Sequence, residues 1–247
     1  MGKSSARAKG YRKNQKKTNG YTESEKKIMT IGFLVIVVVI IGVLVLPDWI
    51  ESFSLLKVKD GVVQGVEDNW LICNLGTSSS PKYRKLAEIN PVDGFEMSET
   101  SYITDANTPY FIFEPTGDSA AQKLTVQAGN GGAEALASKY AETIGAFSDV
   151  LYKSDVAAET VGDRKIWTIL VEYRMENYSE EEAESDAETE PTYSYTQSAL
   201  VYTDALVSGR SIVISAAVDG DSESVFVDRE ALLEAAKSAV SSIELSK

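Results

Sequence analysis

Eight acidic residues crowd into one 15-residue stretch: Glu176, Glu180, Glu181, Glu182, Glu184, Asp186, Glu188 and Glu190. Carboxylates at this density could capture a divalent cation or dock a basic partner, and Glu180, Glu181, Glu182, Glu184 and Asp186 are the candidate metal ligands. A calcium loop of the EF-hand kind needs defined ligand spacing, a turn glycine and a bidentate Glu. No glycine occurs in this stretch. It reads better as a solvated, disordered insertion, about residues 176–192, kept extended by its own repulsion.

Gly129-Asn130-Gly131-Gly132 is a second candidate. It joins a predicted strand to a predicted helix N-terminus, where backbone amides could cradle an anion. It lacks the Lys and Ser/Thr of a P-loop and the βαβ setting of a dinucleotide fingerprint. A loop that needs positive φ angles explains the glycines without a ligand.

Composition removes most other chemistry. The chain has no histidine, so imidazole acid–base catalysis, Ser-His or Cys-His nucleophiles and His-ligated metals are out. Cys73 is the sole cysteine, in the strand-like run Leu71-Ile72-Cys73-Asn74, which excludes an intrachain disulfide and a thiolate zinc site. No cofactor is implied. Carboxylate pairs could still do acid–base work, but nothing singles out a pair. Trp167, Tyr193, Tyr195 and Tyr202 could line a ligand groove, and fit better as core and sheet-face residues.

The elements that position these residues follow from periodicity. Leu56, Val58, Val62 and Val63 flank Lys59-Asp60-Gly61, a hairpin signature. Short strands are predicted at Trp70–Leu75, Tyr110–Phe113 and Lys123–Gln127. Tyr83–Ile89 is ambiguous, and Pro91–Pro109 is polar and turn-rich, with little structure beyond a strand near Tyr102-Ile103. A helix from about Ala133 to Phe147 has its apolar stripe at Ala133, Leu136, Ala137, Tyr140, Ala141, Ile144 and Phe147. Three long strands follow, at Ile166–Arg174, Ser194–Thr203 and Ser211–Val218. In the first, Trp167, Ile169, Val171 and Tyr173 share one face. A closing helix starts at Asp228, a good N-cap, with Leu232, Leu233, Ala236, Val240 and Ile243 as its stripe. Strands joined by short loops, with two helices to cover them, predict an α+β domain with helices packed on an antiparallel sheet.

Upstream, residues 28–46 form an uncharged apolar run of 19 residues. As a helix it would span about 28 Å, close to the hydrocarbon thickness of a bilayer. It ends Val-Leu-Val-Leu-Pro-Asp-Trp, without the small residues of a cleavage site, so it is predicted to be an uncleaved signal anchor. Residues 1–27 carry nine cations and two carboxylates, a net +7, while residues 28–247 carry a net −20. The positive-inside bias places the basic tail in the cytoplasm and the acidic part outside. The tail would rest on anionic lipid headgroups. With only Tyr11 and Tyr21 as aromatics, it is not read as a nucleic-acid surface. An exported domain without disulfides fits a bacterial cell surface better than a eukaryotic lumen. The organisation is thus a basic tail (1–27), an anchor (28–46), a membrane-proximal β-rich segment (47–109) and a main domain (110–247).

Within about residues 110–246, the turn Gly162-Asp163-Arg164 leads into Ile166-Trp167-Thr168-Ile169-Leu170-Val171. Then come Ala199-Leu200-Val201-Tyr202, Ser211-Ile212-Val213-Ile214-Ser215 and the closing helix. This order resembles the Mog1/PsbP-like fold, an α/β/α sandwich, from which the chain departs by its long acidic insertion. The resemblance implies a binding or assembly module without a catalytic site, and no residue roles are carried over. The expected function is a non-catalytic extracytoplasmic module for a protein or cell-envelope partner. The alternatives are a carboxylate-dependent envelope hydrolase and a single-pass sensor.

Overall fold

The computed structural model describes residues 55–59, 62–63, 69–77, 79–103, 108–177 and 192–246. In chain order the strands and helices are β1 (Val58–Lys59), β2 (Val62–Val63), β3 (Trp70–Asn74), β4 (Tyr83–Ile89), β5 (Phe95–Ile103), β6 (Thr108–Pro115), β7 (Lys123–Gly129), α1 (Ala133–Ile144), β8 (Val150–Lys153), β9 (Ala157–Val161), β10 (Arg164–Asn177), β11 (Thr192–Asp204), β12 (Ser211–Gly220), α2 (Arg229–Ser238) and β13 (Ile243–Leu245). An eight-stranded antiparallel sheet runs β5-β6-β7-β12-β11-β10-β8, with β9 also paired to β10. A second sheet runs β13-β4-β3, and β1 and β2 form the predicted hairpin, with Val58 opposite Val63.

The centre of the large sheet explains its own sequence. Ile166 and Leu170 of β10 join one core cluster, while Trp167, Ile169 and Val171 join the other. Both faces are covered there, so the strand reads as a nearly continuous apolar run. On one face, α1 seats Ala133 and Ala137 against Trp167, Ile169, Val171, Leu200, Tyr202 and Val213. On the other, the main core gathers Phe111, Phe113, Leu124, Ile212 and Ile214 under Leu232 and Ala236 of α2 and under Leu71, Leu86 and Ile89 of the small sheet. Each such fully buried large side chain contributes about 1.5–3 kcal/mol.

The expected class, α+β with an α/β/α sandwich behind a transmembrane helix, requires correction. The described chain is predominantly antiparallel β, with α-helices of only 12 and 10 residues. Sheet-on-sheet packing covers much of the main core, where the sequence reading had expected helices alone. The physical reason lies in the edge strands. β5, β8 and β9 each pair on one side only, and they are either short, as Val150–Lys153 and Ala157–Val161 are, or largely polar, as Phe95–Ile103 is, so their apolar signal is weak. β4, ambiguous in sequence, is the middle strand of the small sheet. The closing helix also ends early, at Ser238, giving way to a 3-10 turn (Ala239–Ser242) and then β13. Among the described residues no helix is long and apolar enough to cross a membrane. The predicted span at 28–46 lies outside the described residues.

The proposed division at 109/110 falls inside β6, and residues Ser54–Lys247 make one compact unit. β13 is the reason. It brings the end of the chain back to β4, pairing Ile243 with Ile89 and Leu245 with Ala87.

Candidate functional site

The glycine loop chosen from sequence is put to structural use. Gly131 takes φ +150 and Gly132 is the extended N-cap of α1. A Cβ on Gly129 would lie 2.3 Å from the Ser211 hydroxyl and 2.7 Å from Leu136. The first helical amide, at Ala133, donates to the Asp204 carboxylate at 2.8 Å. A protein carboxylate therefore sits where an anion would be cradled. Asn130 accepts from Arg210, which also donates to the Asn74 carbonyl at 3.0 Å and so ties this loop to β3. Replacing Asp204 with alanine should cost about 1 kcal/mol, the usual worth of an N-terminal helix cap. The check is a urea melt; an unchanged midpoint would mean that the helix start is held elsewhere.

The acidic candidates Glu180, Glu181, Glu182, Glu184 and Asp186 lie outside the described residues. Among the described residues no group of three His, Cys, Asp or Glu could hold a metal ion. Cys73 is buried, and burial pushes its thiol up against the pull of Arg210, which disfavours a nucleophilic thiolate.

Two grooves remain. One, about 560 Å³, lies on the outer face of the small sheet. Trp70, Glu88 and Glu244 stand in one row across its three strands. Lys85 places its ammonium 4.2 Å from the Trp70 ring centre and 2.8 Å from Glu88 Oε2. The row supplies a carboxylate pair, as a glycan hydrolase requires. But Glu88 is salt-bridged and its side chain is 44% exposed, and Glu244 is exposed as well. Neither is enclosed in the apolar surroundings that suit a catalytic acid.

The other groove, about 380 Å³, opens where α1 ends. The stripe Trp167–Ile169–Val171–Tyr173 on β10 continues to Met175, but the helix covering it stops at Ile144. Gly145 caps the helix: its amide bonds to the Ala141 carbonyl at 3.1 Å, and the next two amides close tighter turns onto the Thr143 and Ile144 carbonyls. A side chain at Gly145 would press within 2.9 Å of Lys153 Nζ. Tyr140 and Ile144 form one wall and Tyr173 and Met175 the opposite one. A β-bulge between Glu172 and Tyr173 interrupts the pairing with β8 beside the groove, a device that re-aims side chains. Phe147 is 61% exposed and Met175 57% exposed. Aromatic residues and Met are enriched at protein interfaces, and exposed apolar patches mark interaction sites. At the rim stand Asp149, Arg174 and Glu176. Arg174 lies 3.7 Å from Asp149 and stacks on Tyr193 at 4.6 Å.

Sequence reasoning missed this groove by placing Phe147 on the buried helix stripe and stopping the β10 stripe at Tyr173. Two signals were available: Gly145 as a helix stop, and the period-2 apolar pattern that runs on to Met175.

Glu172, on the opposite face of β10, is buried and accepts three hydrogen bonds. They come from Gln197 at 2.9 Å and from Arg229 at 2.8 and 2.6 Å. The Arg229 guanidinium also lies 3.4 Å from the centre of the Tyr152 ring. Every donor here is a protein group that fastens α2 to the sheet, so this cluster is structural. No protein-family model matches the chain, and no curated protein matches it in sequence.

Proposed function

We propose that the protein is a membrane-anchored extracytoplasmic binding module, held to the bilayer through residues 28–46, with its basic tail against anionic headgroups. The observation that carries the binding reading is the apolar groove at the end of α1, rimmed by exposed Phe147 and Met175. A partner segment would cover these apolar side chains, which are of the types enriched at protein interfaces. Proton-transfer chemistry has weaker support, because the carboxylate pair in the groove of the small sheet, Glu88 with Glu244, is open and partly salt-bridged.

The anchor is tested by fractionation. The full chain should stay with membranes after an alkaline carbonate wash, and deletion of residues 28–46 should release it. Protease added outside intact cells should digest the domain and spare the tail. Recovery of the full chain in the soluble fraction overturns the reading.

A further inference from the structure

We infer that the groove at the end of α1 takes an amphipathic protein segment whose apolar side is flanked by Lys or Arg. The inference rests on reading the domain as a binding module, and it supplies the chemistry of the partner.

The apolar requirement comes from the walls. Tyr173 and Met175 extend the sheet stripe past the helix, and Phe147 stands beside them in solvent. A helix presenting two apolar side chains one turn apart would cover these residues, as in helix-in-groove recognition. Met suits this role because its unbranched, polarizable side chain adapts to the shape that enters.

The cationic requirement comes from three features of the rim. Asp149 and Glu176 bring carboxylates to it. α1 also points its C-terminal end here with no basic residue in its last turn, so its dipole adds partial negative charge, reduced because the Ala141, Thr143 and Ile144 carbonyls accept from the amides that follow. Two local cations offset part of this. Arg174 is held between Asp149 and the Tyr193 ring, and Lys153 donates to the Ala141 carbonyl at 3.1 Å. The wider field is nonetheless negative, because residues 28–247 carry a net −20. Such a field attracts cationic partners and repels acidic ones before contact.

The test uses the full chain in dodecyl maltoside micelles. The probe is an amphipathic Leu/Lys helical peptide bearing a photo-crosslinker, with its Leu/Glu counterpart as comparison. The Leu/Lys peptide should crosslink to the segments around Phe147 and Met175. The double substitution Phe147→Ser with Met175→Ser should weaken binding about tenfold. Both side chains are mostly exposed, so this variant should keep its melting midpoint. Asp149→Asn with Glu176→Gln should weaken binding several-fold and flatten its salt dependence. Equal binding of the Leu/Glu peptide at the same residues would overturn the basic-partner inference and leave the groove as a dock. Binding indifferent to Phe147 and Met175, with crosslinks scattered over the domain, would sink both.

Discussion

Replacing Arg229 with alanine should lower the unfolding free energy by about 2–3 kcal/mol, because it strands the Glu172 carboxylate inside the protein. Only 7% of the Glu172 side chain is exposed, while 49% of Arg229 is. The cost is therefore set by the buried partner, and the half-exposed cation places it toward the low end of what breaking a buried pair costs. Glu172→Met should destabilise the wild-type protein, where it removes the acceptor of both Arg229 hydrogen bonds. In the Arg229→Ala background the same change should stabilise, since it then removes an uncompensated charge. Gln197 would keep its bond to the Val227 carbonyl at 3.1 Å in either case. A double-mutant cycle by urea denaturation reads this reversal directly, and a cycle without it would mean that the pair contributes by packing alone.

The same pair predicts a pH dependence. The hydrogen bonds from Arg229 hold the Glu172 carboxyl below its ordinary value, with burial opposing and Gln197 adding to the effect. A carboxylate lowered on folding binds fewer protons in the native state than in the unfolded one. Its contribution is complete above the unfolded value of about 4.3. It is lost as pH falls through the lower folded value. The stability gap between wild type and Arg229→Ala should therefore be full near pH 7, begin to narrow as the stranded carboxylate of the variant, raised by burial, takes up its proton, and close below about pH 4. A gap that widens in acid would contradict the assignment.

What could be read from sequence follows from which interactions are local. The stripe of α1, the apolar face of β10 from Trp167 to Tyr173 and the Asp228 cap depend on residues a few positions apart. In the structure Asp228 Oδ1 does accept from the Ala231 amide at 3.0 Å. The fold class was misread where pairing is distant. β13 is three residues long, and Val240 and Ile243, spaced three apart, mimic one more turn of the preceding helix. Nothing within ten residues of Ile243 shows that its partner is Ile89. β5 and β8 were illegible for a different reason: β8 is only four residues long, too short for its alternation to stand out, and β5 is mostly polar, with Glu96, Ser98, Glu99, Thr100 and Ser101 in its nine residues. The groove was half legible. Tyr140, Ile144 and Tyr173 were placed on the right elements, but Met175 was left off the strand and the helix was extended three residues past Ile144, which buried Phe147 and hid the opening.

Deleting residues 243–247 should unfold the domain or remove most of its stability, a loss of about 5 kcal/mol or more against the 5–15 kcal/mol typical of a whole domain. Ile243 is 1% exposed and belongs to the main core, along with Ile89, Leu86 and Leu232. Its loss alone matches a large-to-small core substitution, about 2–5 kcal/mol. The deletion also removes the Ser246 amide bond to the Leu86 carbonyl at 2.9 Å. It takes away the Ile243 carbonyl that accepts from Arg164, leaving that guanidinium only Val240 at 2.9 Å. β4 would become an edge strand, its buried Ala87 and Ile89 open on the side that β13 had closed. Loss of near-ultraviolet dichroism, with new protease cleavage between residues 70 and 90, is the expected result. If the deleted chain instead keeps its melting midpoint, the two ends of the domain are not coupled through this sheet, and the segment before residue 110 folds independently of the rest.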